Sequence, residues 1–288
     1  MKQNVIPPYA SDAVAHLKRV DPILGDVIDR VGPYAIRRRP ERFHSLVQAI
    51  IFQQLAGRAA QTIFDRFVKA VGGKRFPTPV LLLAASDEVL RGAGLSRGKM
   101  SYIRDLATHV NNRTLNFHRH SRMTDDEIIA DLTRVRGIGR WTAEMFLMFN
   151  LHRPDVLPVD DLGVRNAVGR LYKMNPAPTA KELREFGERW RPYRSVASWY
   201  LWQSYNIITP DGAVATTDSA AKKAIAKPPT PIPRRLVVGK ASAITTGVGK
   251  TNARKTISLK ASAAKTTRSA PEKLVAVQKT RAQTGKKS

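Results

Sequence analysis

A Gly-x-Gly turn between two helical patterns constrains the fold of this chain more than any other feature. Apolar residues at helical spacing precede Gly137-Ile138-Gly139, and an apolar helical run from Trp141 to Phe149 follows it. Glycine permits positive φ and lets the backbone approach a bulky partner closely. The first amides of the second helix lack partners and carry the positive end of the helix dipole, so they can hold a phosphate. The pattern therefore predicts a helix-hairpin-helix with Gly137 and Gly139 at its turn.

Arginines flank this turn at positions 134, 136 and 140. Guanidinium groups next to free helix amides are typical of contacts with nucleic-acid phosphates. Arg136 and Arg140 are therefore candidates for DNA contact, together with the two glycines. From the turn alone, a second interpretation stays open, in which the glycines merely join two helices.

A pair of carboxylates follows the hairpin after a proline-bearing loop. The loop from Arg153 to Val159 leads to Asp160-Asp161, and helical periodicity resumes at Val164. This spacing predicts that Asp161 lies at a helix N-terminus, where the dipole favours an ionised carboxylate. The alternative is an ordinary N-cap, which stabilises a helix by roughly 1 kcal/mol.

Two segments carry a family resemblance. GIGRWTAEMFLMF and VLPVDDLGVRNAVGR resemble the helix-hairpin-helix DNA glycosylases, and within them the alkylated-base branch of the 3-methyladenine DNA glycosylase II type. The resemblance implies that Asp161 stabilises a positively charged sugar and assists attack of water on C1′, with Asp160 ranked second. Lyase members carry a lysine where this chain has Trp141. The resemblance thus implies a monofunctional enzyme of base excision repair that leaves an abasic site.

The same resemblance assigns residues to the handling of a flipped base. IIFQQLAGRAA looks like the family's turn that fills the gap in the DNA stack, with Gln54 and Leu55 as candidates. Trp141 and Trp202 are assigned to a pocket for an electron-poor base, although core packing is the alternative for an aromatic cluster. Trp190 and Trp199 are assigned to the core.

Further contacts with backbone phosphates are expected at the start of a later helix. Arg97 and Lys99 lie there, in GLSRGKMSYIRDL. With the hairpin, they complete the predicted DNA-binding set.

The chemistry of the expected substrate explains the small catalytic set. An alkylated purine such as 3-methyladenine or 7-methylguanine already carries positive charge, so its glycosidic bond is weak and the base leaves without an acid. Ordinary glycosidases need two carboxylates. Here Glu144 is the nearest second candidate, and its place within a helix predicts a surface role instead.

No cofactor is expected, because the six histidines are scattered and no ligand cluster is evident. The chain has no cysteine, which excludes disulfides, thiolate metal sites and a cysteine-held iron–sulfur cluster. The resemblance allows one structural Na⁺ or K⁺ on the backbone carbonyls of Thr133, Val135 and Ile138.

The charge balance predicts a polyanionic partner. The formal net charge is +26, and 17 of the Lys and Arg residues fall within 212–288, against two acidic residues. The expected partner is double-stranded DNA with a damaged base, bound by a monomer with no obligate protein partner. No apolar run long enough for a membrane span or signal segment occurs, so the expected location is cytoplasmic, and nucleoid-associated if the source is bacterial.

The expected architecture is all-α and compact, with two lobes and a DNA cleft between them. A flexible N-terminus over 1–10 precedes a helical core over 11–211, whose first helix takes Ser11 as N-cap. We expect the hairpin and Asp161 in one lobe, facing helices near Gln54 and Trp202. Residues 212–288 are rich in Lys, Ala, Thr and Pro without aromatics, which predicts a disordered basic tail. The tail is interpreted as a non-specific DNA tether, or alternatively as a solubilising extension.

Two other functional classes stay open from the sequence. One is a glycosylase for another lesion, such as a deaminated, etheno or mismatched base. The other is a DNA-binding or packaging protein without catalysis, which would need neither Asp161 nor an aromatic pocket.

Overall fold

The computed structural model describes residues 4–207 except 38 and 40. Within them the chain is almost entirely helical, as the sequence predicted, and one short antiparallel pair joins β1 (Asn4–Val5) to β2 (Ile36–Arg37). The α-helices of this part are α1 (Ala10–Val20), α2 (Pro22–Val31), α3 (Arg42–Phe52), α4 (Gly57–Phe67), α5 (Pro79–Ala84), α6 (Asp87–Gly92), α7 (Arg97–Asn111), α8 (Asp125–Thr133), α9 (Arg140–Asn150), α10 (Leu162–Leu171), α11 (Ala180–Phe186) and α12 (Arg194–Ile207). Short π or 3₁₀ turns occur at Val68–Gly72, Arg119–Arg122 and Gly187–Trp190.

The predicted basic tail over 212–288 lies outside the described residues, as does the predicted end of the core at 211. Within the described part, every helix is too short or too polar to traverse a lipid bilayer.

The described helices pack in two groups, which agrees with the predicted two lobes. In the first group, α1 and α2 from the start of the chain pack with α10, α11 and α12 from its end. The second group contains α3 to α9, with α3 packing against α4, α7 and α9. The chain therefore leaves the first group after α2 and returns to it only at α10.

The assignment of site residues to these groups was wrong. The sequence placed the hairpin and Asp161 in one lobe, opposite Gln54 and Trp202. In the structure the hairpin joins α8 to α9 in the second group, next to α3 and its following turn. Asp161 begins α10 and Trp202 lies on α12, and these two helices pack together in the first group.

The first helix also begins differently from the prediction. Ser11 is not its N-cap: α1 starts at Ala10, and Tyr9 occupies the cap position without a side-chain cap. The reason is tertiary, because the Tyr9 hydroxyl donates to the carbonyl of His152 at 2.9 Å and anchors the chain before Ser11. By contrast, the predicted pair Thr124 and Glu127 forms a capping box at α8.

Asp21 connects the two ends of the first group. It is buried, caps α2 through the amide of Leu24 at 3.0 Å, and accepts hydrogen bonds from Trp190 Nε1 at 2.7 Å and from the Tyr172 hydroxyl. Buried polar groups are costly unless they are hydrogen-bonded. One carboxylate thus satisfies donors that lie 151 and 169 residues further along the chain.

We predict that Asp21→Ala lowers the free energy of unfolding by about 2–4 kcal/mol, because it removes an N-cap and leaves two buried donors unpaired. Urea denaturation measures this change. Asp12→Ala, at an exposed position of α1, is the matched control and should cost less than about 1 kcal/mol. A change of that small size for Asp21→Ala would contradict the assigned role.

Candidate active site

The carboxylate of Asp161 forms the centre of the site. Asp161 is the N-cap of α10, as predicted, and its Oδ1 accepts from the amide of Val164 at 2.8 Å. Trp202 Nε1 donates to the same oxygen at 3.0 Å, and Trp141 Nε1 donates to Oδ2 at 2.7 Å. The side chain is 9% exposed. The structure therefore brings together the three residues that the sequence assigned to catalysis and to the base pocket.

The hydrogen bonds of Asp161 differ between its two oxygens. A carboxylate oxygen offers about two lone-pair sites. Both sites of Oδ1 are occupied by N–H donors, whereas among the described residues only the indole of Trp141 donates to Oδ2. Oδ2 is thus the atom with capacity to accept from one further partner, such as a water molecule.

Helices from both groups supply these contacts. Trp141 is the second residue of α9 in the second group, and Trp202 lies on α12 in the first. The Trp202 ring also packs against Phe149 with centroids 5.9 Å apart. Trp190 and Trp199 are buried in the core, as predicted.

The hairpin turn has the geometry that its glycines predict. Gly137 has φ 84°, and a Cβ at this position would lie 2.4 Å from the ring of Tyr102. Gly139 is the N-cap of α9, where no side chain caps the amides and a Cβ would meet open space. Among the described residues no side chain caps the first amides of α9, so they are suited to an external acceptor.

The two hairpin arginines are exposed and each has an acidic neighbour. Arg136 Nε lies 3.3 Å from Asp105 Oδ1, and Arg140 Nε donates to Glu144 Oε1 at 3.0 Å. More than half of each arginine side chain is exposed. Their guanidinium groups are oriented by these carboxylates while staying accessible at the turn.

The turn after α3 distinguishes Gln54 from Leu55. Gln54 is exposed and its backbone φ is 58°, a value that residues other than glycine rarely adopt. Leu55 is only partly exposed. Of the two residues that the sequence proposed for this turn, Gln54 is the one presented to solvent.

The predicted phosphate contacts on α7 occupy different environments. Arg97 is exposed at the first position of α7. Lys99 instead points into the protein, where its ammonium donates to the carbonyls of Ile51 at 2.6 Å and Gln53 at 2.8 Å. Burial lowers the pKa of Lys99. Sequence reasoning missed this internal role.

Comparisons with known proteins agree with this geometry. The family model described as HhH-GPD superfamily base excision DNA repair protein matches residues 47–192. The chain belongs to the HhH-GPD superfamily. This membership confirms the resemblance stated from the hairpin and the Asp160-Asp161 segment.

Similar proteins within the superfamily carry names of the alkylated-base branch. DNA-3-methyladenine glycosylase 1 of Schizosaccharomyces pombe is 34% identical over 68% of this chain and 87% of its own length. A solved structure of DNA-3-methyladenine glycosidase from Bacillus halodurans is 37% identical, with a TM-score of 0.61, and the match covers 71% of this chain and 92% of that one. The S. pombe 3-methyladenine DNA glycosylase Mag1 in complex with abasic DNA is 33% identical, with a TM-score of 0.59, and the match covers 67% and 96%.

Glu144 departs from its prediction in this HhH-GPD site. The sequence assigned it to the helix surface, but it is 3% exposed. Its Oε1 accepts from Arg140, while no described residue donates to the buried Oε2. Burial raises the pKa of Glu144 to about 7, against the opposing effect of Arg140. The four-residue spacing of Arg140 and Glu144 is also typical of an exposed ion pair, so it gave no signal of burial.

The carbonyls proposed for a monovalent cation lie in and before the hairpin turn. The carbonyl of Val135 accepts from the Ile138 amide at 3.1 Å. The Thr133 hydroxyl donates to the carbonyl of Ile129 at 2.7 Å. A carbonyl oxygen has a second lone pair. The oxygen donors of Thr133, Val135 and Ile138 therefore fit Na⁺ or K⁺ chemically, and the site stays a prediction. Among the described residues, no cluster of three or more His, Cys, Asp or Glu side chains suits a metal ion.

We predict that Glu144→Gln changes the pH dependence of stability. The folded-state pKa of about 7 lies above the ordinary glutamate value of 4.5, so the folded protein holds this proton more tightly and loses stability as the pH rises from 4.5 to 7. Gln keeps the size and the acceptor for Arg140 without titrating. The stability of the variant relative to wild type should increase by roughly 2–3 kcal/mol between pH 5 and pH 8.

Urea denaturation at pH 5 and pH 8 tests this expectation. Glu185→Gln, at an exposed position of α11, is the control for loss of one glutamate charge. Parallel stability profiles for wild type and Glu144→Gln would show that the burial of Glu144 does not shift its titration.

We predict that Gly163→Ala disturbs the central carboxylate. A Cβ at Gly163 would lie 2.9 Å from Asp161 Oδ1 and 3.2 Å from Trp202 Nε1, so one of these groups must move. Overpacking of this kind costs about 1–3 kcal/mol. Unfolding free energy and indole fluorescence should both change. Gly92→Ala, where a Cβ would meet open space, should leave the indole fluorescence as in wild type.

Proposed function

We propose that this protein is a monofunctional DNA glycosylase of base excision repair. Its substrate is an alkylated purine of the 3-methyladenine or 7-methylguanine type, flipped out of duplex DNA, and its product is an abasic site. Family membership and the alkylated-base names of its relatives support the general reaction. The observation that carries the proposal is the carboxylate of Asp161 fixed between two indole N–H groups.

The carboxylate acts on the sugar in this mechanism. As the C1′–N bond breaks, its electron pair moves to the base and neutralises the positive charge of the alkylated purine. Positive charge develops on the sugar, and the fixed carboxylate of Asp161 stabilises it. Water then bonds to C1′ and passes its proton to Asp161 Oδ2, the oxygen that accepts only one hydrogen bond from the part of the chain that the structure describes.

Aromatic groups beside Asp161 account for the choice of a cationic base. A positively charged ring stacks favourably on electron-rich indole faces. Trp141 is half-buried, and Trp202 packs on Phe149 next to the carboxylate. Trp141 supplies stacking surface within reach of the atom that acts on the sugar, while Trp202, which is only 6% exposed, holds the carboxylate from the core side.

The presentation of DNA to this site depends on the hairpin and the turn after α3. The uncapped amides of α9 and the exposed guanidinium groups of Arg136 and Arg140 hold a backbone phosphate. The exposed Gln54 enters the stack in place of the flipped base. Flipping costs a few kcal/mol and is easiest at a damaged pair.

Monofunctional chemistry follows from the residue at position 141. Lyase activity requires an amine to attack C1′. Trp141 has no amine, and its indole N–H is already used to hold Asp161. Water is the nucleophile that remains.

We predict that Asp161→Asn reduces base release by at least about 10²-fold, because the fixed negative charge beside the sugar is lost. Release of free 3-methyladenine and 7-methylguanine from methylated duplex DNA measures it under single-turnover conditions. The product strand of the wild-type reaction should stay intact until alkali is added. Asp12→Asn, at an exposed position of α1, should retain wild-type rates.

Other outcomes separate the parts of the proposal. Full activity of Asp161→Asn with loss of activity in Asp160→Asn would move the catalytic role to Asp160. Strand cleavage without alkali would contradict the monofunctional assignment. Release from deaminated or etheno substrates, but not from methylated DNA, would contradict the substrate class.

A further inference from the structure

A hydrogen bond joins the turn after α3 to the hairpin turn. Gln53 Nε2 donates to the carbonyl of Gly137 at 2.8 Å, across 84 residues of chain. Gln53 directly precedes Gln54, and Gly137 directly follows Arg136. The residue proposed to enter the DNA stack and the turn proposed to hold a phosphate therefore share one direct link.

Lys99 fixes the same turn from a third element. Its ammonium lies at the C-terminal end of α3 and donates to the carbonyls of Ile51 and Gln53 at 2.6 and 2.8 Å. Carbonyls at a helix C-terminus lack intrahelical partners and carry the negative end of the dipole. The partly buried ammonium of Lys99 donates to two carbonyls at this end of α3 and holds Gln53 where its side chain reaches Gly137.

The conformation of Gln54 requires such support. Its φ of 58° is in the left-handed region, which costs a residue with a Cβ free energy unless the surroundings enforce it. Gln54 itself is exposed. The contacts that enforce the turn come from its neighbour Gln53 and from Lys99.

The hairpin end of the link is similarly fixed. Asp105 on α7 accepts from the amide of Arg136 at 2.8 Å, and the ring of Tyr102 on α7 lies against Gly137. One helix, α7, thus holds both turns through Lys99, Tyr102 and Asp105.

We propose that Lys99 and Gln53 are positioning residues that lock the Gln54 turn to the hairpin, so that insertion into the DNA stack and capture of a phosphate occur as one rigid unit. This inference rests on the proposed function. It assigns Lys99 to the geometry of the protein and not to a phosphate of the DNA.

The two assignments of Lys99 differ in their dependence on salt. A phosphate contact contributes to the affinity for any duplex. Its removal reduces the slope of log affinity against log salt concentration by about one. A positioning residue leaves binding of undamaged duplex and its salt dependence close to wild type. Removing a positioning residue affects only those measurements in which the Gln54 turn must enter the DNA stack.

The test uses the full chain with Lys99→Met, Gln53→Ala and the conservative Lys99→Arg. The probe is a duplex with a tetrahydrofuran abasic-site analogue beside 2-aminopurine, whose fluorescence reports entry of a residue into the gap. Affinity for undamaged duplex at several salt concentrations and single-turnover base release from methylated DNA are measured in parallel. Lys181→Met, at an exposed position of α11, controls for loss of one lysine charge.

We expect Lys99→Met and Gln53→Ala to bind undamaged duplex within about twofold of wild type, with an unchanged salt slope. Their fluorescence response should be lost, and base release should slow by on the order of 10–100-fold. Lys99→Arg should restore most of both. Wild-type fluorescence and rate in Lys99→Met would overturn the proposal, as would a reduced salt slope, which identifies a phosphate contact.

Two further results decide the remaining cases. An equal loss of all readouts, together with a lower melting temperature, would show a merely structural role and also overturn the proposal. If wild type releases no methylated base, the proposed function fails. The fluorescence with the abasic duplex still tests the locking of the Gln54 turn, because that duplex needs no catalysis.

Discussion

The fixation of one buried carboxylate by donors from separate helices is the constraint on which the site depends. Asp161 is held by an amide of its own helix and by indoles 20 and 41 residues away in sequence. A buried carboxylate is tolerated only where such donors are in place. Because α9 and α12 belong to different helix groups, the carboxylate is fully held only when the two groups are packed together. The core of each group therefore stabilises the geometry of the proposed catalytic carboxylate as well as the fold.

The parts of this arrangement that sequence predicts are those governed by local physics. The cap at Asp161, the capping box of Thr124 and the positive φ of Gly137 each depend on residues within one turn of helix. The distribution of helices between the two groups does not. It is decided by the packing of α1 and α2 on α12. These helices lie at opposite ends of the described chain, and no local pattern encodes their contact.

Two charged side chains show why residue type alone does not predict exposure within the site. Glu144 and Lys99 were both expected to face solvent or DNA, since charged residues at helix positions are usually exposed. The structure turns both inward, Glu144 toward Arg140 and Lys99 toward the end of α3. Which face of a helix is covered depends on its neighbours. Sequence spacing alone could not distinguish a surface ion pair from a buried one.

The contrast between Glu144 and Asp161 bears on the chemistry. Asp161 accepts from three N–H groups, whereas Glu144 has the Arg140 guanidinium and a buried oxygen without a donor among the described residues. Burial raises the pKa of Glu144 to about 7, so near neutrality a large fraction of it is uncharged. In the proposed reaction, the carboxylate fixed beside the developing cationic sugar is that of Asp161. A base that already carries positive charge needs no acid to leave. The proposed reaction needs no second ionised carboxylate, and Glu144 instead accepts from Arg140 at the start of the helix that also carries Trp141.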